Sequence, residues 1–160
     1  MAASKVAVTP LPMFAGTLVA LDQLTKYLVV LSIPLNTGIP VFSGLLNLVH
    51  VDNTGGAFSI FAGARSPLRQ YLFVGLAVAV IAAIAFAYLK AGKKDNWSRI
   101  AYILIAGGAC GNLVDRVRLG EVIDFIDVYV GRWHWPAFNV ADAALSTGAV
   151  MLLISLLKKK

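Results

Sequence analysis

Two aspartates in the C-terminal third of the chain have surroundings that suit joint chemistry. Asp124 interrupts the apolar run Val122–Val130, and Asp142 follows Asn139 at the start of another apolar segment. Asp142 precedes Lys158 by 16 residues, or about 24 Å at about 1.5 Å per helical residue. If Lys158 lies at one membrane surface, Asp142 therefore lies just inside the other, and Asp124 approaches the same level from the preceding segment.

Two carboxylates that share one proton can activate water and protonate a scissile carbonyl, as in aspartic proteases. The same acids can relay protons or bind a cation in a transporter. A structural explanation is also available: Asn139 is a good helix N-cap, and an acid three residues later suits the helix dipole. Asp124 and Asp127 can each be exposed loop acids, so the residues alone leave these readings open.

Other ionisable residues interrupt apolar segments, where each must be paired or wetted. Asp22 and Lys26 are spaced i, i+4, so they can pair as a self-neutralising unit or orient a neighbouring site. Asn112, Asp115 and Arg116 share a face at the end of another segment. The Asp–Arg pair is explained equally well by a solvated helix end, whereas the amide of Asn112, one turn deeper, requires partners.

The composition indicates a membrane protein. Of 160 residues, 59% are hydrophobic and 14% charged, against roughly 45–50% and 25% in soluble domains. The positive net charge lies in short clusters beside apolar runs, which argues against nucleic-acid binding. A single cysteine and two histidines exclude an intrachain disulfide and a structural zinc site of the usual Cys/His type.

We predict an all-α membrane protein with four transmembrane helices, a small extracytoplasmic β element and an outer loop. The clearest span is Tyr71–Leu89, 19 residues without a charge, close to the about 20 that cross a bilayer. The first apolar segment is not read as a cleaved signal peptide, because Asp22 and Lys26 interrupt it and no A-x-A-like cleavage site follows. The predicted helices cover about 11–33, 70–90, 99–116 and 139–157.

The flanking charges predict that both termini are cytoplasmic. Eight Lys and Arg residues flank the helices on the side of the termini and five flank them on the opposite side, and basic loops are retained in the cytoplasm.

The β element is predicted within about 35–66, as a strand near Leu46–Val51, a turn at Asn53–Gly56 and a second short strand. A mobile flap is expected near Asn53–Phe61. Gly107 and Gly111 form a small-xxx-small pair that lets another helix approach.

Five ordered motifs closely resemble those of the bacterial lipoprotein signal peptidases, the signal peptidase II family. They are Asp22-Gln23-x-x-Lys26, Asn53-x-Gly55-x-Ala57-Phe58, Gly111-Asn112-x-x-Asp115-Arg116, Val122-x-Asp124-Phe125 and Phe138-Asn139-x-Ala141-Asp142. The resemblance covers nearly the whole chain. It implies a single inner-membrane peptidase domain over residues 1–160 that cleaves prolipoproteins before a diacylglyceryl-modified cysteine.

The resemblance also implies residue roles. Asp124 and Asp142 are the expected catalytic dyad, and Asp22, Lys26 and Asp115 the expected supporting positions. The expected substrate-binding positions are Asn53, Gly55, Asn112, Arg116, Val122, Asn139 and Ala141. No metal or cofactor is implied. Expected partners are diacylglyceryl prolipoproteins, membrane lipids and peptide inhibitors of the globomycin type, with no nucleic acid, and we expect a monomer with its active site near the extracytoplasmic face.

The position of Asp142 leads to a hypothesis about protonation. A helix dipole favours negative charge in the first turn, so Asp142 is predicted to be the ionised member of the resting dyad while Asp124 holds the proton. A transporter or ion-binding subunit and a structural assembly protein are the rival classes. A transporter of four helices would need to oligomerise, and a structural protein would tolerate Asn at both acids.

Overall fold

The computed structural model describes residues 11–56, 63, 66–91 and 95–158. Within them lie the helices α1 (Leu11–Ser32), α2 (Pro67–Lys90), α3 (Asn96–Leu119) and α4 (Val140–Lys158). All four are long and apolar enough to cross a membrane, which confirms the predicted fold class. The predicted flap and second strand fall partly on residues 57–62, outside the described part of the chain.

The helix bounds differ from the predicted ones by up to three residues because of local capping. Pro67 occupies the first turn of α2, where its missing N–H costs nothing. The side chain of Asp95 accepts from the Ser98 N–H and starts α3 before Arg99. Gly120, in the left-handed conformation at φ 83°, ends α3 after Leu119 rather than near Arg116.

The β element is larger than predicted. Its four strands β1 (Gly38–Phe42), β2 (Leu46–Asn53), β3 (Val122–Val130) and β4 (Trp133–His134) pair antiparallel in that order. Restricting the sheet to 35–66 was therefore wrong, because its third and fourth strands come from the segment before α4. The β-branched and aromatic residues of β3 favour a strand, and Asp124 and Asp127 are 2% and 8% exposed, so neither is an exposed loop acid.

Glycines on α3 allow two other helices to approach it closely. A Cβ added to Gly107 would lie 2.7 Å from Leu18 Cδ2 of α1, and one added to Gly111 would lie 2.8 Å from Asp22 Oδ2. The same added atom at Gly111 would lie 3.1 Å from the Cβ of Ala141 in α4. The predicted small-residue packing is confirmed, and it brings the polar residues of α1 within reach of α3 and α4.

The sheet is fixed to the end of α1. Phe125 of β3 is buried against Val29 and Ile33. His50 of β2 is buried, and its Nδ1 lies 2.8 Å from the carbonyl oxygen of Ile33. Because a carbonyl only accepts, Nδ1 carries the proton and donates. These contacts hold the sheet, and with it Asp124 of β3, beside the end of α1.

Candidate active site

Asp124 and Asp142 line the same cavity, and each accepts two hydrogen bonds. Asp124 accepts from Asn53 Nδ2 at 2.9 Å and from Asn139 Nδ2 at 2.7 Å, one on each carboxylate oxygen. Asp142 accepts from Asn112 Nδ2 at 2.7 Å and from the backbone N–H of Asn139 at 3.3 Å. The acids come from different elements, β3 and the first turn of α4, and three asparagine side chains fix their orientations.

Asn139 has both the structural and the site position that the sequence left as alternatives. Its Oδ1 accepts from the backbone N–H of Asp142 at 2.9 Å, while the Asp142 carboxylate accepts from the Asn139 N–H. This reciprocal pair is a capping box that starts α4. Since Oδ1 is held by a backbone donor, the NH₂ group of Asn139 faces Asp124.

A buried ionic cluster lies behind the two acids. Lys26 Nζ lies 2.8 Å from Asp22 and 2.7 Å from Asp115, and all three residues are at most 2% exposed. The predicted Asp22–Lys26 pair therefore forms but extends to a second carboxylate, and Asp115 is not at a solvated helix end. Asp22 also accepts from the Ala141 N–H at 2.9 Å, which ties α1 to α4.

Arg116 is held by α2 and by the segment after β2. Its guanidinium donates to the Gly55 carbonyl oxygen at 3.1 Å and lies 5.2 Å from the centre of the Phe73 ring. Gln70 donates to the Arg116 carbonyl oxygen at 3.0 Å. The guanidinium thus lies over an aromatic ring and also donates a hydrogen bond, two contacts for which its planar, delocalised group is better suited than an ammonium.

The cavity has a volume of about 570 Å³ and combines a polar end with an apolar groove between α2, α3 and α4. Its polar lining includes Asn53, Asn112, Arg116, Asp124 and Asp142, and Val122 lies beside them. Phe73, Leu76, Val80 and Leu145 are among the apolar lining residues. The arrangement places two carboxylates at one end of a groove that suits an apolar chain.

Three of the residues expected to bind substrate lie behind the cavity lining. Gly55 contributes the carbonyl that holds Arg116. Asn139 and Ala141 are fully buried, and they act on the two acids through hydrogen bonds and helix packing.

Two residues of the site were not singled out from the sequence. Gln23 donates to Asp115 at 2.8 Å, and the signal that could have found it is an amide inside an apolar segment. Nothing in the sequence of α2 distinguishes Phe73 from its apolar neighbours.

The environment of Asp124 favours its protonated form. Burial raises the pKa of Asp124, and the nearby negative charge of Asp142 raises it further, to about 7. The hydrogen bonds donated by Asn53 and Asn139 oppose this shift. A carboxyl group that retains its proton near neutral pH can act as a general acid.

A family model described as signal peptidase (SPase) II matches residues 14–158. The chain belongs to the signal peptidase II family. Among its relatives, the lipoprotein signal peptidase of Syntrophus aciditrophicus (strain SB) is 42% identical over 146 residues, 91% of each protein. That of Cupriavidus taiwanensis is 47% identical over 147 residues, which cover 91% of this chain and 81% of the relative.

Solved structures agree with this membership. A bacterial membrane enzyme determined by the in meso method at 2.3 Å resolution superposes with a TM-score of 0.85 at 30% identity, covering 95% of this chain and 90% of the other. A second, at 1.9 Å resolution, gives 0.83 at 29% identity and covers 96% of both chains. Together with the four apolar helices, membership of the signal peptidase II family supports a multi-pass protein of the bacterial inner membrane.

Proposed function

We propose that this protein is an intramembrane aspartic endopeptidase that removes the signal peptide from diacylglyceryl-modified prolipoproteins, cleaving just before the lipidated cysteine. The observation that carries the proposal is the placement of Asp124 and Asp142 in one cavity at the end of an apolar groove. Family membership supports the substrate class, since the relatives are named lipoprotein signal peptidases.

The proposed reaction begins with Asp124 protonated and Asp142 ionised. Asp142 takes a proton from water as the water oxygen bonds to the scissile carbonyl carbon, and Asp124 donates its proton to the carbonyl oxygen. The resulting gem-diol collapses as the C–N bond breaks. Asp142 then protonates the departing cysteine nitrogen, and Asp124 recovers a proton from a gem-diol hydroxyl, so the dyad is restored and water is the only co-reactant.

The groove and the cationic side chain give the proposed substrate its orientation. Acyl chains and the signal helix lie along the apolar groove lined by Phe73, Leu76 and Val80. This places the peptide bond beside the carboxylates at the polar end. Arg116, held against Phe73, faces the same cavity and binds polar oxygen atoms of the substrate.

The proposed topology has both termini in the cytoplasm and the active site near the extracytoplasmic surface. The sheet then lies on the outer side, where a lipid-modified cysteine reaches the membrane boundary. We further propose that residues 1–160 form one peptidase domain that acts as a monomer among membrane lipids. Peptide inhibitors of the globomycin type would occupy the same cavity.

The test is cleavage of a synthetic diacylglyceryl-modified prolipoprotein by purified protein in detergent, followed by mass spectrometry. Wild type should cut before the modified cysteine with and without EDTA. Asp124→Asn and Asp142→Asn should each lower kcat by at least about 1,000-fold, with unchanged circular dichroism and elution volume as the controls for folding.

Failure of folded wild type to cleave would overturn the proposed function. Full activity of either Asn variant would overturn the dyad. Proton or cation flux into proteoliposomes that depends on Asp124, in the absence of cleavage, would favour a transporter instead.

A further inference from the structure

Lys26 contacts three acceptors and is almost completely buried. It is 2% exposed, and besides Asp22 and Asp115 its Nζ donates to Asn112 Oδ1 at 3.1 Å. An ammonium has three N–H donors and no acceptor. All three donors are therefore used, two on carboxylates that hold the ammonium in place and one on the amide of Asn112.

The contact with Lys26 decides which way the amide of Asn112 points. Because an ammonium cannot accept, the atom that faces Lys26 must be the amide oxygen, and the NH₂ group must lie on the opposite side. On that side Nδ2 donates to Asp142 Oδ1 at 2.7 Å. A flipped amide would place NH₂ against the ammonium and turn the oxygen towards the Asp142 carboxylate, two repulsive contacts.

Asn139 is a second donor to Asn112 Oδ1, but it constrains the orientation of that amide less than Lys26 does. Asn139 Nδ2 lies 3.2 Å from that oxygen, but the same NH₂ group also donates to Asp124 Oδ1 at 2.7 Å and to the Ile123 carbonyl oxygen at 3.2 Å. Its two hydrogens serve three acceptors. Of these two donors, Lys26 is the one that has a full N–H for the oxygen of Asn112.

We infer that Lys26 is a positioning residue for catalysis, which acts through Asn112 to keep a hydrogen-bond donor directed at Asp142. This inference rests on the proposed function and gives a specific role to a residue for which the sequence left two alternatives open, a self-neutralising pair with Asp22 or the orientation of a neighbouring site. Asp22 and Asp115 anchor the ammonium, and Asn112 transmits its orientation. The two acids thus differ in how their asparagine donors are oriented. Asn139, which donates to Asp124, is oriented by a backbone N–H, whereas Asn112, which donates to Asp142, is oriented by a buried charge.

The kinetic test is a double-mutant cycle between positions 26 and 112. Lys26→Met should lower kcat by about 10- to 100-fold, as loss of a supporting hydrogen bond does at other sites, with KM changed less than about threefold. In the Asn112→Ala background, Lys26→Met should lower kcat by less than about threefold. Lys90→Met, which removes an exposed lysine from α2, is the matched control and should leave kcat unchanged.

Lys26→Met leaves two buried carboxylates unpaired and can fail to fold, so Lys26→Gln is the second variant. Its amide keeps hydrogen-bonding groups near Asp22 and Asp115 but can present either a donor or an acceptor to Asn112. It should reproduce the loss of kcat. Multiplicative losses in the cycle, a loss confined to KM, or full kcat in folded Lys26→Gln would each overturn the inference.

A spectroscopic arm separates this inference from the proposed function. The side-chain ¹⁵Nδ2 resonance of Asn112, assigned by its loss in Asn112→Ala, should be single in wild type and doubled or exchange-broadened in Lys26→Gln. An unchanged single resonance would overturn the inference. If wild type failed to cleave but the resonance still doubled, the proposed function would fail while the orientation of the amide by Lys26 would stand.

Discussion

The two ends of the α3–α4 pair bury polar groups of different kinds. Near the start of α3, Ser98 Oγ lies 2.8 Å from Ser155 Oγ, and both residues are buried. Near its other end, Asn112 donates to Asp142 beside a buried lysine and two further carboxylates. One end of the pair is therefore joined by a neutral hydroxyl contact, and the other by charged groups.

The packing of α3 against α4 is similar toward both ends of the pair. A Cβ added to Gly148 of α4 would lie 2.7 Å from Ile105 Cγ1 of α3, while Gly108 of α3 packs against the Ala141 carbonyl oxygen of α4. Small residues bring the helices together at both ends, so charge is not needed for their approach. Because buried charges are costly, their concentration at one end points to a role in holding the two acids.

Replacing Arg116 tests the charged end most severely after the two acids themselves. Arg116→Lys keeps the charge but loses the contact between the guanidinium and the Phe73 ring and the hydrogen-bond geometry to Gly55. We expect kcat/KM to fall by about 30-fold, which is about 2 kcal/mol, with normal expression. Cleavage kinetics in detergent measure this.

Arg118→Lys provides the matched control, since Arg118 is an exposed arginine on the same helix. Its kcat/KM should match wild type. An unaltered kcat/KM for Arg116→Lys would show that charge alone suffices at this position.

Replacing Asn53 separates the electrostatics of the dyad from its packing. The hydrogen bond from Asn53 lowers the pKa of Asp124, so Asn53→Ala should raise that pKa above about 7. Cleavage requires the proton on Asp124 and therefore falls as pH rises through this pKa. In a pH profile of kcat, the alkaline limb should therefore move to higher pH by about 0.7 pH unit, equivalent to about 1 kcal/mol.

Asn47→Ala is the control on the same strand. Asn47 donates to Asp127 at 2.8 Å, so this variant also loses an Asn–Asp hydrogen bond but leaves Asp124 untouched, and its alkaline limb should stay in place. A limb that moved to lower pH in Asn53→Ala would contradict the assignment of the proton to Asp124.

Replacing the serine pair should affect stability and leave catalysis intact. Ser98→Ala or Ser155→Ala leaves a buried hydroxyl without its partner and should lower the free energy of unfolding by about 1 kcal/mol. The double variant should lose less than the sum of the two. Unfolding in mixed detergent micelles measures this, and activity should stay within about twofold of wild type. A large loss of kcat would erase the contrast between the two ends.

The sequence predicted the helices and one strand of the sheet, β2, from patterns that are local. Apolar runs of the length of a membrane span predicted α1 to α4, and the alternation around Leu46–Val51 predicted β2. β3 was missed because a strand buried on both sides does not alternate, and its acids suggested a loop. The pairing of β3 with β2 joins residues about 75 apart in the chain, which no short window shows.

The sequence by itself determined the residue types of the candidate site, its five motifs and its place near the end of apolar segments, because an unpaired charge inside a membrane is too costly to be accidental. The tertiary structure decided which partner each polar group has. Lys26 contacts two carboxylates and an amide rather than Asp22 alone, and Phe73 lies against Arg116. Such contacts depend on how closely α1, α2 and α4 approach α3, a property of packed helices that sequence spacing does not contain.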